Sequence, residues 1–338
     1  MSYSTSHAKP YRIGLLLIDG FALLSYASLT EPLRVANLLS GATIYEIETL
    51  SCTGSMAHSS GGVFVPAMAV TQGKVNKQIS NKSEIRYDLV MVVAAGDPFA
   101  FHDDATLQWL AQLQRQKVPL GGVSGGPVIL ASAGVLKGYR LTLHWEHAAA
   151  LRQRQGDLLV ERSLYVIDRD RLTCAGGTAP LDLAHAVILR QHGARLARDV
   201  SDWLQHTDVR PAAGAQRAGI VERYGVHNKA LISAIEVMET HLADPLDLPS
   251  LAKVAGVGER QLIRLFDTQM GASTMEFYRN LRLERGRLLL RQSALSVNEI
   301  ARIVGFSSAA HFATRYRRYF GHAPGVERST LNAVQSGA

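Results

Sequence analysis

Residues 121–127 read GGVSGGP. Within them, Gly122-Val123-Ser124-Gly125-Gly126 has the G-x-S-x-G form that sets a serine on a sharp turn between a strand and a helix. Two chemistries suit a serine held there. With a strong base in hydrogen-bond reach, its hydroxyl attacks acyl groups. Without one, the hydroxyl and the backbone N–H groups of residues 125 and 126, at the start of a helix, make a place for a carboxylate. The base candidate is His144, in Leu143-His144-Trp145-Glu146-His147, and no acidic residue lies between Ser124 and His144. A serine hydrolase on an α/β sheet places its acid and then its histidine after the nucleophile, with further strands between them. The order here argues for binding rather than turnover, and no catalytic residue is expected.

Gly96 and Asp97 follow the apolar run 88–95. Their loop is expected beside Ser124 and offers further N–H donors, because ligands of open α/β sheets sit outside the carboxyl ends of the strands. Trp145 and Tyr26 can pack around a quaternary ammonium by cation–π contact, about 0.5–2 kcal/mol each, with Glu146 or Glu31 balancing its charge. Each also has an ordinary reading: Trp145 and Tyr26 as core, Glu146 as a first-turn acid favoured by the helix dipole, and His144 as a structural hydrogen-bonding residue. Ser124 with Gly125, Gly96, Asp97, Glu31, Tyr26, His144, Trp145 and Glu146 is the candidate ligand set, with no metal and no cofactor expected.

A second chemistry lies in the last hundred residues. The stretches 248–273 and 297–324 resemble each other at an offset of 49 to 50: Leu251-Ala252 with Ile300-Ala301, Gly256-Val257 with Gly305-Phe306, and Leu262, Phe266, Gly271 with Phe312, Tyr316, Gly321. Each gives a short helix, a turn carrying glycine and a longer helix, which is helix-turn-helix grammar. The second helix of such a unit enters the DNA major groove, with its first turns at base edges and flanking cations on phosphates. Arg260, Gln261 and Arg264 are the candidates in the first copy. Ser308, Ala309, His311, Thr314 and Arg315 are those in the second, with Arg317 and Arg318 placed for the backbone. Ser307 or Ser308 is expected to cap the second reading helix.

The elements that must hold these groups follow from the pattern. Apolar runs at 11–18, 44–51, 88–95, 118–123, 139–143, 158–167 and 171–175 predict strands. Helices are predicted near 27–39, 105–116, 126–135, 145–155, 179–192 and 195–205. This alternation predicts an α/β sandwich on a mostly parallel sheet over residues 1–205. Residues 206–228, rich in Gly, Ala and Arg, read as a linker, and an all-α double helix-turn-helix domain is expected over 229–328.

The chain of 338 residues is 47% hydrophobic and 19% charged, a globular composition. No apolar run spans a bilayer, and the opening MSYSTSHAKPYR has no apolar leader. Cys52 and Cys174 are the only cysteines, which suits a reducing cytoplasm with both packed as small hydrophobes. The net charge of +7 is uneven. Residues 279–320 hold nine arginines against Glu284 and Glu299, whereas residues 1–205 hold 19 basic and 17 acidic side chains. A local excess of that size suits a polyanion such as double-stranded DNA, or a solvated helix face.

The final domain closely resembles the AraC/XylS family of bacterial transcription regulators over about 229–328. The residues that carry the likeness are A-x-x-VGFSS-x-x-HF-x-x-x-YRRYFGHAP in 301–324. The likeness implies two helix-turn-helix units joined by a long helix, about 274–291, reading successive major-groove segments on one DNA face. The region GGVSGGP…AGVLKGYRLTLH resembles the class I glutamine amidotransferase-like superfamily in its PfpI-like branch, with Ser124 where its enzymes carry cysteine and His144 in the histidine position. Enzymes of the branch carry D-x-x-G-P-x-E near the first helix. The matching SLTEPLR (28–34) has Ser28 and Arg34 at the acidic positions and Glu31 at the glycine. LSYASLTEPLRVANLLSG (24–41) and LHWEH (143–147) resemble the AraC-type subgroup with an amidotransferase-like sensor that responds to carnitine, glycine betaine, sarcosine or arginine. That likeness implies an activator of amine or amino-acid catabolism acting on RNA polymerase as a homodimer, with 179–205 a candidate dimer surface or simply packed on the sheet. Two alternatives stay open: an amidase or hydrolase using Ser124 with a DNA-binding tail, and a regulator whose first domain is only a dimerisation scaffold.

Overall fold

The computed structural model describes residues 9–70, 87–217, 219–292 and 295–327. The first eight residues, part of the segment read for a leader, lie outside them. The chain divides into two compact units between Gln216 and Arg217.

The first unit is built on strands β1 (Tyr11–Leu17), β2 (Tyr45–Ser51), β3 (Ser55–His58), β4 (Phe64–Ala69), β5 (Leu89–Ala94) and β6 (Leu120–Ser124), with the short pair β7 (Arg140–Leu141) and β8 (Leu159–Val160), then β9 (Tyr165–Asp168) and β10 (Arg171–Cys174). Eight of them form one sheet in the order β3-β4-β2-β1-β5-β6-β10-β9. Its centre is parallel, with antiparallel pairs β3/β4 and β9/β10 at the edges. All six residues of β5 are buried. Leu89, Met91 and Val93 enter one core and Val90, Val92 and Ala94 the other, because successive strand side chains point to opposite faces.

Helices α1 (Leu23–Ser40), α5 (Ala179–His192) and α6 (Ala194–Trp203) cover the first face; α2 (Asp104–Arg115), α3 (Gly126–Ser132) and α4 (Trp145–Arg154) cover the second. Of the apolar side chains of α5 and α6, expected as a dimer surface or as packing, Leu183, Ile188, Leu196 and Val200 join the core with Leu29 and Leu33 of α1, while Leu189 and Trp203 are exposed.

Three expectations change. The hairpin β3/β4 is missing from the strand reading, since Pro66 and flanking glycines hide its alternation. The run 158–167 breaks at Glu161–Ser163 into β8 and β9, and 139–143 shortens to β7. The segment expected as a linker is largely structured. Residues 206–216 pack on the first unit, and the chain re-enters a helix at α7 (Ile220–Tyr224), with Ile220 and Val226 in the second unit's core.

The second unit continues with α8 (Lys229–Thr240), α9 (Leu248–Ala255), α10 (Glu259–Met270), α11 (Thr274–Gln292), α12 (Val297–Ile303) and α13 (Ala309–Phe320). It has two cores. Tyr278, in the first half of α11, packs with Leu251, Leu262 and Phe266; Leu283, Leu289 and Leu290 pack with Ile300, Phe312 and Tyr316. One long helix therefore serves both helix-turn-helix motifs.

Candidate functional site

Ser124 ends β6 with φ of +60° and is buried. A non-glycine residue in this region costs about 1–2 kcal/mol. The turn is enforced from both sides. A Cβ on Gly126 would collide with the Val92 carbonyl, and one on Gly176 would come within 2.6 Å of Ser124 Cβ. Pro98 stands 3.0 Å from where a Gly125 Cβ would sit, so the loop carrying Gly96 and Asp97 runs beside the elbow. Asp97 is committed as the cap of the turn at 98–100, accepting from Phe99 N–H at 3.1 Å, while Gly96 is exposed at φ +66°.

Two expectations about this site are corrected. The N–H of Gly125 is not free for a carboxylate; it donates to the Ala94 carbonyl at 2.8 Å, extending the β5–β6 ladder by one bond. Glu31 is half-buried, and its carboxylate is already balanced by Arg34 at 2.7 Å. The α1 side chain at the elbow's wall is Ser25. Fully buried, it accepts from Gly177 N–H at 2.9 Å, next to the Gly176 that packs on Ser124. Ser25, Gly176 and Gly177 escaped the sequence reading. The one signal for them is the pair of glycines directly after β10.

His144 meets Ser124 through its backbone: its N–H donates to the Ser124 carbonyl at 3.1 Å. The imidazole turns instead to Glu146, Nδ1 to carboxylate 3.4 Å, and stacks at a tilt on Trp145, centroids 5.4 Å apart. Trp145 and Glu146 open α4 and are half-buried. Tyr26 packs edge-on to Phe21 at 5.7 Å, against the first core. Cys174 is fully buried, and burial pushes its thiol up to about 12, which removes it as a nucleophile.

His144, Glu146 and His147 place their ligand atoms within 4.8 Å of one another. No metal was expected from the sequence, yet these three side chains are spaced so that they could hold one ion.

In the second unit, Arg260, Gln261 and Arg264 are exposed on α10, opposite buried Leu262 and Phe266. On α13, His311, Thr314 and Arg318 are exposed opposite Phe312 and Tyr316, whereas Ala309 and Arg315 are half-buried. The outward line therefore runs through Ala310 and Arg317. Ser308 caps α13, accepting from His311 N–H at 3.1 Å. The basic excess of 279–320 is partly internal. Arg282 donates to the Val304 carbonyl at 2.6 Å and lies over the Phe306 ring; Arg287 and Arg291 hold the buried Glu327 carboxylate. These three arginines fasten the second motif to α11.

Comparison with known proteins agrees with both halves. The DJ-1/PfpI family model matches residues 12–190, and a helix-turn-helix domain model matches 251–330. The HTH-type transcriptional regulator GlxA of Rhizobium meliloti is 41% identical over 97% of this chain and 98% of its own. The HTH-type transcriptional regulators CdhR and GbdR of Pseudomonas aeruginosa are 38% and 37% identical over 94% and 95% of this chain, and 91% and 84% of theirs. The crystal structure of an AraC family transcriptional regulator from Pseudomonas putida, 26% identical, superposes with a TM-score of 0.50 over 58% of this chain and all of its own. Among the described residues no helix is long and apolar enough to cross a membrane. The chain thus belongs to the AraC-type helix-turn-helix transcriptional regulators whose first domain is of the DJ-1/PfpI family, and it is a DNA-binding regulator.

Proposed function

We propose that this regulator is a ligand-responsive activator whose PfpI-like domain holds a small amino or zwitterionic metabolite of the carnitine and betaine kind, without turning it over. The observation that carries the reading is the elbow's unpartnered hydroxyl: the Ser124 carbonyl accepts from the His144 backbone N–H, and among the described residues no hydrogen bond joins the Ser124 hydroxyl to the His144 imidazole, which lies against Glu146. A serine hydroxyl without a base is a hydrogen-bonding group, not a nucleophile. Trp145 offers a ring face for an ammonium group and Glu146 a compensating charge, beside Ser124, His144 and the loop of Gly96 and Asp97. Action as a homodimer on RNA polymerase in the cytoplasm completes the proposal. Arg260, Gln261 and Arg264 of α10, with His311, Thr314, Arg317 and Arg318 of α13, are its proposed DNA contacts.

A thermal-shift panel on the full chain with carnitine, glycine betaine, dimethylglycine, sarcosine and arginine tests this. A binder at 100 times its dissociation constant adds about 2.7 kcal/mol, several degrees for a domain of this size. The expected result is one clear hit, lost in Trp145→Ala, with no product released. Product formation abolished by Ser124→Ala overturns the reading in favour of a hydrolase. A silent panel removes the amine class and favours the scaffold.

A further inference from the structure

Residues 206–216 are tied down at both ends, in each case to a segment that continues into a residue of the elbow's wall. At the near end stands Asp182 of α5, a carboxylate with no solvent exposure. It accepts from Arg210 three times, from the backbone N–H at 2.8 Å and from the guanidinium at 3.0 and 2.6 Å, and pairs with His206 at 2.9 Å. Arg210 also donates to Thr178 Oγ1 at 3.0 Å, and Thr178 directly follows the Gly176-Gly177 turn that packs on Ser124 and hangs from Ser25. At the far end, Gln216 Nε2 faces three acceptors: Thr142 Oγ1 at 3.0 Å, the Leu143 carbonyl at 3.1 Å and the Ser163 carbonyl at 2.8 Å. Leu143 precedes His144, whose N–H holds the Ser124 carbonyl. Between the two ends, the Leu164 N–H donates to the Ala212 carbonyl at 2.9 Å.

We propose that 206–216 is a strap that carries the state of the Ser124 elbow to the chain entering the DNA-binding unit, with Gln216 as its coupling residue. The inference rests on the elbow being the ligand site. A ligand that shifts the 176–178 turn or the 142–144 stem moves an anchor of the strap, and Gln216 is the last residue before the second unit begins. The Gln216 anchor is suited to release. Three acceptors share two amide hydrogens, and its Oε1 is buried with no partner among the described residues. An amide in that position holds one geometry without being locked into it. Two of the three partners are carbonyls and the Thr142 hydroxyl already donates to the Ser163 carbonyl at 2.7 Å, so Gln216→Glu keeps the shape and turns a donor into a carboxylate facing acceptors.

Coupling is reciprocal, which gives a test needing no ligand. Hydrogen exchange is followed on the full chain for wild type, Gln216→Glu, Gln216→Ala and Gly176→Ala, the last pressing a methyl onto Ser124. In both Gln216 variants, peptides containing the His144 and Gly177 amides should exchange about five- to tenfold faster, with β1 and β5 unchanged. In Gly176→Ala, peptides over 206–216 should loosen by a similar factor. A loosened strap with His144 and Gly177 as slow as in wild type overturns the proposal, as does a wedge that leaves 206–216 unaffected. If Gln216→Glu does not fold, Gln216→Ala and the wedge decide. Failure of the amine panel bears on the ligand reading alone, because these arms contain no ligand.

Discussion

In α10, Leu262 and Phe266 face inward while Arg260, Gln261, Arg264, Asp267 and Thr268 face solvent; fifty residues on, in α13, Phe312 and Tyr316 face inward while Ala310, His311, Thr314, Arg317 and Arg318 face solvent. The inward positions match and the outward chemistry does not. The first helix opens on exposed Glu259 followed by Arg260 and Arg264, with Asp267 towards its end. The second opens with small and neutral groups and ends in arginines. Opening turns meet base edges and flanking cations meet phosphates, so the two motifs are expected to divide the work, the first reading sequence and the second supplying grip. The fastening differs as well. Phe266 packs on Phe277 at 5.3 Å in the first motif; at the same offset, Tyr316 donates to Glu327 at 2.8 Å in the second. An apolar pair in one place is a charge network in the other.

The turn glycines give the largest contrast. Gly256 and Gly305 both have φ near +70°. A Cβ at Gly256 meets open space, whereas one at Gly305 lies 2.5 Å from the Leu242 carbonyl oxygen and 2.8 Å from that of Ala243. Gly256→Ala should cost only the left-handed strain, about 1–2 kcal/mol. Gly305→Ala adds overpacking against backbone, for about 2–5 kcal/mol in all. Denaturant melts of the two variants measure this, and equal losses would show that the motifs share one limit.

Next comes Glu327. Burial pushes its carboxyl up, but hydrogen bonds from Tyr316, Arg287 and Arg291 outweigh that and hold it below the usual carboxylate range, with His322 also 3.2 Å away. A depressed carboxylate contributes stability that is complete above its unfolded value and fades as pH falls through the folded one. Below about pH 4.5, the α12–α13 motif should therefore loosen before the α9–α10 motif, seen as earlier loss of amide protection at Phe312 than at Leu262. Glu327→Gln should cost about 1.5–3 kcal/mol at neutral pH and remove the difference in acid onset.

Reading chemistry should separate the motifs at a similar scale. Arg264→Ala, or Arg260→Ala, should cost about 1–3 kcal/mol at a preferred site and relax the preference at one base position. His311→Ala should cost less. Binding profiles over randomised DNA distinguish these outcomes. A loss in Arg264→Ala that is uniform across sequences would move that residue from base to phosphate.

How far the sequence foretells all this depends on what holds each part. The β5 run announces itself because both its faces are buried, and the two motifs show through their repeated Leu/Phe/Gly spacing. The strap does not show: it is polar, and it is held by Arg210 and Gln216 reaching partners 28 to 74 residues away, which no local pattern encodes. Ser25 is hidden for the same reason, since its partner Gly177 is 152 residues distant. The arginines of α11 misled in the opposite sense. Counted as a basic face, Arg282, Arg287 and Arg291 are fixed to carbonyls and to Glu327, so formal charge overstates what DNA can meet.

That discount sharpens the smallest effect. If grip comes from α13 rather than from the whole basic stretch, removing one exposed arginine there should lower the slope of log affinity against log salt by about 1, and the pair Arg317→Ala with Arg318→Ala by about 2. The loss should be nearly the same for every DNA sequence, because a phosphate contact carries no base information. Arg291→Ala removes the same formal charge and should leave the slope almost unchanged, since its guanidinium is held by Glu327; its cost should appear in stability instead. Salt titrations of the variants on one duplex separate the two kinds of arginine. A slope that falls equally for Arg317→Ala and Arg291→Ala would return the grip to the face as a whole and dissolve the division between the motifs.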